Sequence, residues 1–316
     1  MPGRVYAYAD VGRTGLGNML FPWARAEVFA HRHGVRMLAP RWVRPRIGPL
    51  LRGERDKRLY AGLFDNRCYV RGARRWAALL RGTVIDEADA AAFMERRGRG
   101  EAGSRGTAVV RFSGYEWWFE GIGPHQRLVP HRALVCRRLR EILSARVRRR
   151  LEASPASFAI AAHVRRGDRP PMEFMEPYPG AIDGIPQHHK TMPDRWLINC
   201  ITGVREALGV EAPVTVFSDA MDEQLRPLLS LPRVERAAAN PSIVDIFLLA
   251  RARVLITTGT SSFSAWAAYI GGMPALWYPG LRLDLIEGRP ELAIETDLAG
   301  RLPAGAAAVL RQAAGA

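Results

Sequence analysis

Two adjacent arginines stand where an apolar run ends, in His163-Val164-Arg165-Arg166-Gly167-Asp168. The run FAIAAHV (158–164) reads as a buried strand. Side chains alternate along a strand, so His163 and Arg165 face one way and Val164 the other. A guanidinium fork matches the oxygens of a phosphate better than an ammonium does, so the pair suits a diphosphate, with Asp168 able to hold Arg166 in place. An ordinary surface ion pair is the other reading. A second candidate is Thr257-Thr258-Gly259-Thr260-Ser261-Ser262, between an apolar strand and a helix. Hydroxyls and N–H groups at a helix N-terminus bind phosphate, although Ser261 or Ser262 can equally serve as a plain N-cap. The third is Gly12-Arg13-Thr14-Gly15-Leu16-Gly17-Asn18. It lacks a full G-x-G-x-x-G and a downstream acidic residue for a ribose. It reads as a tight strand-to-helix turn or as a loop that lets backbone approach a ligand.

These segments need elements to position them. Residues 3–10 alternate as a strand, and the run from Met19 reads as a helix ending at Gly34, with RMLAP as a second short strand. Stretches near 73–81 and 86–97 read as helices, and 131–152 as one long basic helix. In the second half, strands at 158–164, 213–219, 254–258 and 274–278 alternate with helices at 194–208, 221–229, 241–251 and 262–271. That alternation implies an α/β fold with parallel, doubly wound sheets, whose ligands bind beyond the carboxyl ends of the strands. The length suits two domains, with SPAS (154–157) as linker: 1–155 and 156–316. The Ala-rich tail 304–316 reads as low-complexity sequence.

Residues 1–155 carry 31 basic and 14 acidic side chains, against 15 and 17 in 156–316, for a net charge of +15. Such a field draws anionic partners: nucleic acid, acidic glycan or a membrane surface. All basic residues except Lys57 and Lys190 are arginine, which equally reads as compositional bias. Cys68, Cys136 and Cys200 are too scattered for a disulfide framework or a metal site and read as buried small residues. There is no 18-residue apolar run and no signal-peptide pattern, so a cytoplasmic protein is expected.

HVRRGD (163–168), FSD (217–219), VDIFLLA followed by TSSFSAW (244–266) and GLGNMLF (15–21) together resemble the fucosyltransferases that share an HxRRxD motif. That group includes the α-1,2-, α-1,6- and protein O-fucosyltransferases. GLGNMLFPWA and SSFSAWAA look most like the bacterial α-1,2 branch. The resemblance implies a GT-B-like fold of two facing Rossmann-like domains, an acceptor-side domain at 1–155 and a donor-binding domain at 156–316. It implies GDP-fucose as donor substrate, a glycan acceptor, inversion at the anomeric carbon, and neither metal nor other cofactor. By the same resemblance Arg165 contacts the β-phosphate, His163 lies beside the nucleotide, and Arg166, Asp168, Ser218 and Asp219 belong to the donor-side motifs. Asp245 matches an aspartate that accepts hydrogen bonds from guanine; its other reading is an exposed helix carboxylate. Ser261 and Ser262 match a phosphate-contacting segment, and Gly15, Gly17 and Asn18 the N-terminal donor-side loop. The chain departs from the pattern at Ala220, Ala265 and Arg169.

Transfer from a sugar nucleotide needs the departing diphosphate stabilised by fixed cations and N–H dipoles, and a base for the acceptor hydroxyl. Arg165 fits the first role. Glu173, Glu176, His188 and His189 are available for the second, and Glu173, ten residues after His163, has the spacing of the base proposed in the α-1,6 branch. Tyr115, Trp117, Trp118 and Phe119 can stack on sugar rings or fill a core. Two other functions fit the composition: a GT-B transferase for another nucleotide sugar, and a basic nucleic-acid-binding protein. The basic residues sit away from the sharp motifs, so no nucleic acid is expected. Peripheral contact with an anionic inner membrane face is the remaining expectation from the charge.

Overall fold

The computed structural model describes residues 4–12, 14–42, 60–101, 106–114, 126–166, 192–259 and 261–315. Arg13, Thr260, the aromatic run 115–119 and all of 167–191, hence Gly167, Asp168, Arg169, Glu173, Glu176, His188 and His189, lie outside the described residues. The chain divides into two compact units, the second beginning its main run at Arg146.

The first unit carries β1 (Val5–Asp10), α1 (Leu16–His33), β2 (Arg36–Leu38), α2 (Gly72–Arg81), β3 (Thr83–Asp86), α3 (Ala90–Gly98), β4 (Ala108–Ser113) and α4 (Arg132–Glu141). Its four strands are all parallel, in the order β2-β1-β4-β3. Helix α1 stops at Gly34, whose φ of 60° is one that glycine adopts without a Cβ penalty. The long helix expected over 131–152 is two, α4 and α5 (Ala145–Glu152). Ile142 and Leu143 are buried, and the backbone between the helices pairs instead with residues 63–65: Asp65 N–H donates to Ile142 O and Ser144 N–H to Leu63 O.

The second unit continues with β5 (Phe158–Val164), α6 (Asp194–Leu208), β6 (Val214–Ser218), α7 (Asp222–Leu229), β7 (Val234–Arg236), α8 (Ser242–Leu249), β8 (Ala252–Ile256), α9 (Ser262–Gly271), β9 (Ala275–Trp277), β10 (Ala293–Glu295) and α10 (Ala306–Ala314). All strands are parallel, in the order β10-β9-β8-β5-β6-β7. Ile160, Ala162 and Val164 join one core with Trp196, Leu197, Leu225 and Leu310, whereas His163 turns to Phe263 and Ser264 of α9. Helices therefore cover both faces of the sheet. The Ala-rich tail is not featureless: α10 buries Ala306 and Leu310, and Arg311 donates to Ala207 O at the end of α6. Cys136 and Cys200 are buried, but Cys68 is exposed, contrary to expectation, and borders the Arg138 guanidinium.

Candidate functional site

Strand order locates the site. In the second unit β5 lies between β6 and β8, so successive connections leave it in opposite directions. A crevice opens at such a reversal, outside the carboxyl ends of the two strands, and ligands of doubly wound sheets bind there. Those ends here are His163-Val164-Arg165 and Thr257-Thr258-Gly259. In the register Ala162 faces Ile256, so the two segments leave the sheet side by side.

Buried hydrogen bonds join them. His163 Nδ1 lies 2.7 Å from Ser264 Oγ, and the same hydroxyl accepts the Thr258 N–H at 3.2 Å. Thr258 Oγ1 accepts the backbone N–H of Arg165 at 3.4 Å, and Thr257 Oγ1 donates to Leu276 O at 2.7 Å. The His163 ring stacks on Phe263 with centroids 4.9 Å apart. Gly259 has φ +40°, and a Cβ there would lie 3.0 Å from Met192 Cε, so the turn admits only glycine without strain.

Ser261 is the N-cap residue of α9, yet its side chain makes no capping hydrogen bond. The residue is 3% exposed, and among the described residues its Oγ has no partner. Plain capping therefore does not explain this serine. A buried hydroxyl left unbonded costs about 1–3 kcal/mol. Here it sits at a helix N-terminus, where N–H groups and the helix dipole favour an anion. Ser262 opens the helix and is half-buried.

Arg165 and Arg166 differ. Arg165 follows the last residue of β5, and its backbone N–H is held by Thr258 Oγ1. The Arg166 guanidinium binds the Asp194 carboxylate and Gln224 O, and its backbone N–H donates to Asp219 Oδ1 at 2.8 Å. Ser218 Oγ donates to Val164 O at 2.5 Å and accepts the Ala220 N–H. Ser218 and Asp219 thus hold the end of β5 against β6. Arg236, which the sequence did not single out, reaches Ser218 O, Ala220 O and the Asp222 carboxylate and closes the same corner. Asp194 and Ser264 were missed likewise, because nothing local marks a partner so distant in sequence.

Asp245 lies in the first turn of α8, which packs on α9. Helices that follow strands of a parallel sheet begin at its carboxyl edge, so this turn shares the edge of the β5–β8 crevice. Asp245 is half-buried, not fully exposed. Its Oδ1 accepts from Asn240 Nδ2 at 3.0 Å, and Asn240 Oδ1 accepts from Arg150 Nε at 2.8 Å. The asparagine amide is thereby fixed with its NH₂ towards the carboxylate.

In the first unit Gly15, Gly17 and Asn18 sit at the carboxyl end of β1, where that sheet reverses between β1 and β4. Gly12 has φ +65°, the conformation that calls for glycine. Gly15 has φ −64°, and a Cβ there would meet nothing within 4 Å. The fold does not require Gly15 to be glycine. Asn18 Oδ1 is buried and, among the described residues, unbonded. The Leu16 N–H donates to Tyr60 Oη at 2.9 Å, and Arg25 ties α1 to Glu87, Ser113 O and Gly114 O.

Behind this turn lies a buried polar chain that the sequence did not disclose. Trp23 Nε1 donates to Tyr69 Oη, which donates at 2.5 Å to Glu27; Arg138 Nε donates to Glu27 at 2.9 Å. Burial, then the adjacent Glu27 charge, pushes the Tyr69 phenol well above its ordinary range. Burial works against the Arg138 charge, but Glu27 outweighs it and holds that guanidinium protonated.

No protein-family model matches the chain, and no curated protein matches it. Solved structures do. A POFUT1 in complex with GDP is 14% identical, with 88% of this chain and 99% of that chain covered at a TM-score of 0.50. The fold is GT-B-like. A NodZ α-1,6-fucosyltransferase co-crystallized with GDP is 19% identical over 96% and 98% of the two chains, with a TM-score of 0.47. An Arabidopsis thaliana FUT1 variant in complex with GDP is 14% identical over 91% and 73%, with a TM-score of 0.46.

Proposed function

We propose that the chain is an inverting, metal-independent glycosyltransferase that moves fucose from GDP-fucose to a hydroxyl of a glycan acceptor, in an α-1,2-type linkage. The observation that carries this reading is the buried, unengaged Ser261 Oγ at the N-terminus of α9, beside the strand end that presents Arg165. It describes an anion site at the position where doubly wound sheets hold nucleotides. The ordered HxRRxD-type motifs and the GT-B-like fold support the same reading.

In the reaction the acceptor oxygen forms a bond to the anomeric carbon as the bond from that carbon to the β-phosphate oxygen breaks. The electron pair leaves with GDP, and the acceptor proton passes to a base. Arg165 and the N–H groups at the start of α9, with Ser261 and Ser262, stabilise the departing diphosphate. His163 and Gly259 hold that turn in place, and Arg166, held by Asp194 and Asp219, fixes the end of β5. Asp245 accepts the guanine N1–H and N2–H₂. Gly15, Gly17 and Asn18 are the residues that the family resemblance assigns to a donor-side loop, and Glu173 takes the acceptor proton. The protein is cytoplasmic, with peripheral contact to the anionic inner face of a membrane as a further part of the proposal; among the described residues no helix is long and apolar enough to cross a bilayer.

Thermal-shift measurements with GDP, UDP and CDP, with and without EDTA, test this assignment. GDP at about 100 times its dissociation constant is expected to stabilise by about 2.7 kcal/mol, in EDTA as well. A shift confined to UDP, or one abolished by EDTA, overturns it.

A further inference from the structure

Helix α2 exposes two large apolar side chains. Its buried residues are Arg75 and Ala78, while Trp76 and Leu80, one turn apart, are 49% and 78% exposed. Arg75 lies inward because its Nε donates to Ala39 O at 2.9 Å and its guanidinium stacks over Tyr8. On β3, the edge strand of the first sheet, Val84 is also 48% exposed. Arg41, Arg74 and Arg81 are exposed, and Arg41 lies over the Trp76 ring at 5.7 Å. Among the described residues neither Arg74 nor Arg81 has an ion-pair partner. The one acidic side chain of β3, Asp86, is paired with Arg111.

We infer that the exposed Trp76–Leu80 face of α2, with the exposed arginines of the same helix and Arg41, is a docking surface for an anionic lipid bilayer. Tryptophan and leucine enter the boundary between headgroups and acyl chains, and arginines beside them meet lipid phosphates. A second copy of the chain fits worse. Identical faces would bring guanidiniums together, and two side chains, one a tryptophan already half covered, fall far short of the ~800 Å² per partner of a stable dimer. The basic segment 137–150 is a poorer lipid surface than its composition suggests. Arg137 and Arg138 pair with Glu141, Arg138 also with Glu27, and Arg150 binds Asn240. The inference stands on this face alone and does not depend on the transferase reading.

Co-sedimentation of the full chain with phosphatidylcholine vesicles, with and without phosphatidylglycerol, tests it. The wild type is expected to bind only vesicles containing phosphatidylglycerol and to be released by salt. Trp76→Ser with Leu80→Ser is expected to lower the partition coefficient at least about tenfold. Arg74→Gln with Arg81→Gln is expected to lower it about fivefold per arginine. Arg148→Gln with Arg149→Gln is expected to change it far less. Thermal unfolding, and any stabilisation by GDP, should be the same in all variants, so a failed nucleotide assignment reads out separately. Equal binding to neutral vesicles, unchanged binding in both face variants, or tighter binding of an RNA oligonucleotide that the face variants abolish would overturn the inference.

Discussion

The turns after β8 and after β1 stand at equivalent places, each at a strand's carboxyl end where its sheet reverses, yet they are built differently. After β8 the backbone is packed shut: a Cβ at Gly259 would press on Met192, and Thr258, Ser264 and His163 share buried hydrogen bonds. Among the described residues, Ser261 Oγ is left without a hydrogen-bond partner. After β1 the turn is open at Gly15, and the tight polar chemistry lies deeper, in Trp23, Tyr69, Glu27 and Arg138. One turn is packed tightly around its backbone, and the other is open beside its glycine. A glycine required by its backbone and a glycine required by nothing in the fold carry different information.

Substitutions can break this contrast. The largest effect is expected behind the open turn. Glu27→Ala leaves Arg138 and Tyr69 without their buried carboxylate and should cost about 3–5 kcal/mol in denaturant unfolding. GDP affinity of the folded fraction should hold, and a loss below 1 kcal/mol would show the chain to be incidental. Arg165→Lys keeps the charge and loses the fork. Turnover should fall about 10²–10³-fold with the melting temperature unmoved, and normal turnover would remove Arg165 from the site. Next come the glycines as a pair. Gly259→Ala is expected to destabilise by about 1–3 kcal/mol through its positive φ and the Met192 contact. Gly15→Ala should leave stability within about 0.5 kcal/mol and lower turnover. Equal behaviour of the two would erase the contrast. Asp245→Asn should weaken GDP and leave UDP unchanged by calorimetry, because an amide presents one acceptor and one unwanted donor to guanine.

What was legible in the sequence follows the same division. Long periodic segments were plain: α1 stops at its glycine, and β5 ends where apolar residues give way to His163 and Arg165. The short strands β3, β7 and β10 carry too few residues for a period, and α10 hides in an Ala-rich tail until Leu310 finds the core. The break between α4 and α5 could not be read locally. Its helical pattern is overridden by backbone pairing with residues 63–65. Within the site, the strand-end residues were visible because they interrupt apolar runs. Their partners were not: Asp194 on Arg166 and Ser264 beside His163 are neighbours only after folding. In the sequence Ser261 reads equally as a phosphate contact or as a plain N-cap, and the missing cap bond tells against the second.

The central claim is that the β5–β8 crevice holds the diphosphate of a guanine nucleotide, and Ser261 tests it most directly. Calorimetric titration of GDP in EDTA should show binding to the wild type. Ser261→Ala, which removes a hydroxyl bonded to nothing else described, should bind about 5–30-fold more weakly, the loss of one hydrogen bond to a charged group at roughly 1–2 kcal/mol, with an unchanged or slightly raised melting temperature. Unaltered GDP affinity in Ser261→Ala, or UDP bound as tightly as GDP by the wild type, would contradict the account.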